Sequence, residues 1–122
     1  RLLGGGGVVD CGAVFEDRRQ KPFDELPAAQ RTRPVLPLGR VVATPGALIA
    51  LEEAGQSGEE YLHRHTCGDW GQVDEHDWKT NDQALREQLR VLSSYQLPTK
   101  ETLWVVTEWD RSVTTLLLPE EY

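Results

Sequence analysis

The strongest constraint on this chain lies in its last third. Three stretches rich in β-branched and aromatic residues follow one another at positions 91–97, 102–109 and 113–118. Only Pro98-Thr-Lys-Glu101 and Asp110-Arg-Ser112 separate them. Such residues suit a pleated, half-buried surface. Links this short leave no room for a crossover, so the three strands must be antiparallel neighbours in a C-terminal β-meander. A small sheet of this kind needs other elements packed on it.

The upstream sequence supplies them. A short strand at 41–43 runs into Thr44-Pro45, an N-cap followed by proline at the first helical position. A helix over 46–54 places Leu48, Ile49 and Leu51 mostly on one side, and Gly55 stops it. Ser57-Gly-Glu-Glu60 fits a capping box and opens a second helix through Tyr61, Leu62 and His65, ended by Gly68. Asp74 caps a third helix reaching about Leu89. Trp78, Leu85 and Leu89 form its expected buried stripe, with Ala84 beside them, and acidic residues in its first turn complement the helix dipole. The predicted fold is α+β, in the order β-α-α-α-β-β-β. About three short helices pack on one face of a small antiparallel sheet. Trp104, on the central strand, is expected to be a core ring.

At 122 residues the chain is the size of one domain. Residues 1–37 read as an irregular N-terminal arm: glycines occupy positions 4–7, and Pro22, Pro27, Pro34 and Pro37 interrupt regular structure. Residues 38–122 read as the single globular domain.

The net charge is −7 and is unevenly spread. Residues 39–122 carry seven Lys/Arg against fifteen Asp/Glu, and residues 1–38 six against five. With no basic cluster after Arg40, extended nucleic-acid binding is not expected. Two cysteines, Cys11 and Cys67, are too few for a disulfide scaffold and read as free thiols of a reducing compartment. No apolar run reaches the ~18 residues of a membrane span. The stretch from Leu2 to Val9 is short and broken by glycine, unlike a signal peptide. The expected location is cytoplasmic.

Chemistry concentrates between Leu62 and Gly71, which hold His63, His65, Cys67 and Asp69. A metal reading would use His63, His65 and Cys67, with His76 as a fourth ligand. Two residues apart on a helix, His63 and His65 diverge by about 200°, so neither metal nor cofactor is expected. An acid–base reading would use His65 as general base and Arg111 to stabilise an anionic transition state, with Asp69 completing the group. Against it stands ordinary structure. His65 at a helix end caps carbonyls, Cys67 is a small buried residue, and Asp110 and Ser112 supply turn chemistry.

Helices followed by an antiparallel sheet bearing His, Arg and hydroxyls resemble, in architecture and residue type, the small metal-independent ribonucleases related to barnase and the RelE toxins. A second resemblance is carried by Gly39-Arg-Val-Val-Ala-Thr-Pro-Gly-Ala47, Arg64-His65, Gly68-Asp-Trp-Gly71, Leu92-Ser-Ser-Tyr95 and the run from Trp104 to Tyr122. These residues are similar to those of small bacterial proteins labelled plasmid-related or hypothetical. That resemblance implies a bacterial, mobile-element setting and a domain beginning near Leu38, and it implies no activity. The leading expectation is a non-enzymatic interaction or regulatory protein, acting on a protein partner or by self-association. The alternative is a toxin-like ribonuclease using His65, Asp69 and Arg111.

Overall fold

The computed structural model describes residues 21–122. The glycine run at 4–7 and Cys11 lie outside the described residues. The elements are β1 (Arg40–Ala43), α1 (Pro45–Glu53), α2 (Glu59–Thr66), α3 (Glu75–Glu87), β2 (Val91–Gln96), β3 (Thr102–Thr107) and β4 (Val113–Leu117). Single 3₁₀ turns occupy Phe23–Glu25, Ala28–Gln30 and Pro119–Glu121. The fold is α+β, in the expected order.

The strands lie in the order β1-β4-β3-β2. β2, β3 and β4 form the antiparallel meander. The sheet as a whole is mixed rather than antiparallel, because β1 pairs with β4 in parallel, Arg40 beside Val113 and Ala43 beside Leu116. Helices and hairpins intervene between β1 and β4, and so long a connection permits parallel pairing. Gly39 makes the join possible. It has φ +64°, and a Cβ there would collide with the carbonyl oxygens of Arg111 and Ser112.

Alternation assigns the two faces of the sheet. Val91, Ser93, Tyr95, Leu103, Val105, Thr107, Thr114 and Leu116 are buried and point to the helical side. Trp104 points the other way. It is half-buried, with its ring edge-on to Tyr122 at 5.5 Å, so it is not the core ring expected of a central strand. The buried indole is Trp70, at 0% exposure.

Each helix departs from its expectation in one detail. On α1 the Thr44 cap forms, its Oγ1 accepting from Ala47 N–H at 3.1 Å. The buried residues of this helix are Ala47, Ala50 and Leu51, while Leu48 and Ile49 are 57% and 55% exposed. Small side chains let the helix lie close to the sheet, and that close face is not the one with most apolar bulk. On α2 the N-cap position is Gly58, with no side-chain cap bond, so Ser57 makes no capping box. On α3 Asp74 caps as expected, accepting from Asp77 N–H at 2.7 Å. The buried residues of α3 are Asn81, Asp82 and Ala84, with Leu89 exposed past a left-handed Gln88.

Packing extends N-terminally beyond Leu38. Leu36 joins Trp70, Ala84 and Val91 in a buried cluster. The N–H groups of Val35 and Leu36 both donate to the Thr66 carbonyl, at 2.7 and 3.1 Å. Residues 31–37 are irregular, as expected, yet Arg31 and Leu36 are buried in the domain.

Candidate functional site

His65 leaves the last turn of α2 toward the sheet and is 0% exposed. Its Nδ1 lies 2.6 Å from Ser93 Oγ and its Nε2 2.9 Å from Thr107 Oγ1. Thr107 Oγ1 is 2.6 Å from Thr114 Oγ1, which lies 2.7 Å from the Leu38 carbonyl. Donor counting orders this chain. The carbonyl only accepts, so Thr114 donates to it and accepts from Thr107. Thr107 then accepts from His65 Nε2–H, and Nδ1 accepts from Ser93. The network therefore assigns a neutral imidazole protonated on Nε2, with both nitrogens occupied. Burial, reinforced by the positive charge of Arg111, pushes its pKa down to about 3. A general base needs a free lone pair within reach of substrate. His65 has neither the lone pair nor the access.

The other two candidates are committed elsewhere. Asp69 holds Arg64 through Oδ2 at 2.8 Å and accepts from Gly71 N–H through Oδ1 at 3.1 Å. Arg64 lies over the Tyr95 ring, and the Tyr95 hydroxyl donates to the Asp69 carbonyl at 2.6 Å. Arg111 sits at the hairpin tip with φ +61°. Its guanidinium donates to the carbonyls of Leu89 at 2.7 Å, Ala84 at 2.9 Å and Glu108 at 3.2 Å. It ties the hairpin to the C-terminal end of α3, where a cation is favoured. Arg111 is close enough for its charge to be felt at His65.

The metal-type cluster also separates. His63 Nε2 lies 3.8 Å from Cys67 Sγ. His65 is turned into the sheet, and His76 is exposed on α3. Burial raises the Cys67 thiol pKa. Among the described residues no three His, Cys, Asp or Glu side chains converge as metal ligands would.

The most elaborate polar centre is one the sequence reading passed over. Arg31 is buried and spends all five N–H groups. Nε donates to the Leu26 carbonyl at 3.0 Å. Nη1 donates to Asp82 Oδ1 at 2.7 Å and the Gly68 carbonyl at 3.0 Å. Nη2 donates to the Phe23 carbonyl at 2.9 Å and Asp82 Oδ2 at 3.0 Å. Trp70 Nε1–H also donates to Asp82 Oδ1, at 2.9 Å. The guanidinium lies 4.0 Å from the Phe23 ring centroid and 5.2 Å from that of Trp78. One signal was present: Asp82 falls four residues after Trp78 and three before Leu85, on the helix face read as apolar. Nothing near Arg31, set among prolines, announced its partner.

Beside this centre opens a groove of about 590 Å³ lined by residues of the 21–35 segment, including Lys21, Phe23, Gln30, Arg31, Thr32 and Arg33. Among the described residues three cations line it and no carboxylate, histidine or cysteine does. Its size is that of a ligand pocket. A smaller cavity of about 340 Å³ lies against residues 34–38 and Thr66. Neither is lined by His65, Asp69 or Arg111. No helix among the described residues is long and apolar enough to cross a membrane. Compared with family models, curated proteins and solved structures, the chain gives no match.

Proposed function

We propose that this chain is a non-enzymatic interaction protein that takes an acidic segment of a partner protein in the groove beside Arg31. The observation that carries this reading is the groove's lining: Lys21, Arg31 and Arg33, with no carboxylate among the described residues, in a chain of net charge −7. Because Arg31 is neutralised by Asp82, Lys21 and Arg33 are the cations left for a ligand. Phe23 offers an aromatic face. Among the described residues the groove has donors for an anionic partner and no group suited to act as general base or strong nucleophile, which favours binding over turnover. A ribonuclease would need His65 open to solvent, and it is sealed in the sheet. The bacterial mobile-element setting rests on the resemblance carried by residues 38–122.

The test is titration of the folded protein with a fluorescent hexaglutamate peptide. Binding should weaken as salt screens the charges. Combined substitution Lys21→Ala and Arg33→Ala should weaken it at least fivefold. Equal binding by the variant, or RNA cleavage by the purified protein above a buffer control, would overturn the reading.

A further inference from the structure

The sheet has two edges, and the chain treats them differently. On the β2 edge the outward backbone groups of Leu92 and Ser94 are met. Asn81 Nδ2 donates to the Leu92 carbonyl at 2.8 Å, and its Oδ1 accepts from Leu92 N–H at 3.3 Å. The next outward residue, Ser94, donates its N–H to the Trp70 carbonyl at 3.1 Å and accepts from Gln72 N–H at 2.6 Å. Covering an edge in this way prevents it from templating another chain.

Among the described residues the β1 edge has no such cover. The N–H groups of Arg40 and Thr44 point to β4, donating to the Ser112 and Leu116 carbonyls at 3.0 Å each. Backbone groups alternate along a strand, so those of Val41 and Ala43 point away from the sheet. No described strand pairs with β1 on that side. Val41 is 44% exposed, and Val42 and Arg40 are also exposed. The strand enters α1 directly, where Leu48 and Ile49 add further exposed apolar surface.

We propose that a second copy of this chain fills this edge, with β1 pairing antiparallel to β1 about a twofold axis at Val42 and joining two four-stranded sheets into one of eight. The register follows from which groups have no partner among the described residues. Val41 of one copy meets Ala43 of the other, and Ala43 meets Val41, so four N–H groups find four carbonyls across the seam. Val42 then faces its own counterpart in a pair without mutual hydrogen bonds. Arg40 falls opposite Thr44 of the other copy.

The charges fit this register. Arg40 forms no ion pair among the described residues. Thr44 holds the Glu121 carboxylate through its hydroxyl at 2.5 Å. The alternation that puts Arg40, Val42 and Thr44 on one face of the sheet brings each Arg40 to the other copy's Glu121. An isologous pairing repeats every contact, so both ends of the seam place a guanidinium against a carboxylate. A partner of unrelated sequence would have to reproduce that spacing and that charge, whereas a second copy does so by symmetry.

Paired residues without mutual hydrogen bonds bring their Cα atoms to about 4.5 Å, within the range a disulfide spans. In a Cys11→Ser background, Val42→Cys should be captured by oxidised glutathione as a disulfide-linked dimer. Arg40→Cys, which faces Thr44, should be captured at least tenfold less. In sedimentation equilibrium the wild type should move from one chain mass to two as concentration rises. Val41→Pro removes an outward N–H and leaves the β1–β4 ladder intact, so it should stay at one chain mass. Arg40→Glu should weaken the dimer, and Arg40→Glu with Glu121→Arg should restore part of it. Monomeric Val42→Cys under oxidation, or capture no better than that of Arg40→Cys, would overturn the inference even if Val41→Pro disturbs the fold. The hexaglutamate titration concerns a different surface, so either proposal can fail alone.

Discussion

The interior has a dry half and a polar half, and they are built on different terms. Under α1 and the start of α2, Ala47, Ala50, Leu51 and Tyr61 meet Tyr95, Leu97, Leu103, Val105 and Leu116. That half is held by apolar burial, which is non-directional and tolerant of small repacking. Around the end of α2 the same sheet face presents Ser93, Thr107 and Thr114 to His65, and beyond them Arg31 and Asp82 are enclosed with Trp70. Buried polar groups tolerate no missing partner, because each lost bond leaves a desolvated group behind. The dry half makes the domain fold. The polar half dictates which segments close it, since only Arg31 completes the Asp82 site.

The largest expected effect tests that claim. Asp82→Ala strands a buried guanidinium and should cost about 3–5 kcal/mol in urea unfolding. Arg31→Met with Asp82→Leu removes both charges and should recover most of the loss, as apolar replacements of buried pairs often do. A cost below ~1 kcal/mol for Asp82→Ala would mean that the 23–31 segment swings away and lets water reach the carboxylate. The polar half would then be a surface feature rather than a second core.

The same contrast explains what could be read from the chain and what could not. The meander, the Thr44 and Asp74 caps and the element order rest on local patterns, and all of them are present. Of the expected α3 stripe, Trp78 and Leu85 pack on the buried cluster and Leu89 does not, and periodicity missed Asn81 and Asp82 because it scores polar residues as outward, whereas here they point in. Leu48 and Ile49 misled in the opposite sense, since apolar residues marked a face that nothing described covers. The Arg31–Asp82 pair spans 51 residues of sequence, beyond any local signal. His65 stood out by residue type, and its type suggested catalysis. Only the three hydroxyls gathered by β2, β3 and β4 show it to be an interior polar residue.

A smaller effect follows from that imidazole. The folded chain keeps His65 neutral down to about pH 3, whereas the unfolded chain protonates it near 6.5. Between those values the unfolded state binds more protons. Stability from this group is therefore complete above about pH 6.5 and is lost as pH falls through that window. The slope approaches ~1.4 kcal/mol per pH unit. Urea unfolding at pH 7, 6 and 5 should show the decline, and His65 should show no protonation shift by NMR at pH 5. Stability that is flat across this range would mean that the polar half accepts a charged histidine, and the donor order through Ser93 and Thr107 would have to be redrawn.

The smallest effects concern how the helices are held at their entrances. α1 belongs wholly to the dry half, whose packing gives no direction, and its start is fixed by the Thr44 cap. Thr44→Ala should therefore cost on the order of 1 kcal/mol. α2 bridges the halves. Tyr61 enters the dry core near its start, and His65 is bonded to two strands near its end. Fixed at that polar end, α2 does without a side-chain cap at Gly58. Ser57→Ala should accordingly change stability by less than ~0.5 kcal/mol, as an exposed position without special contacts does. Equal losses for Thr44→Ala and Ser57→Ala would mean that α2 depends on its N-terminus as α1 does, and that the hydrogen bonds of His65 contribute little to holding the helix.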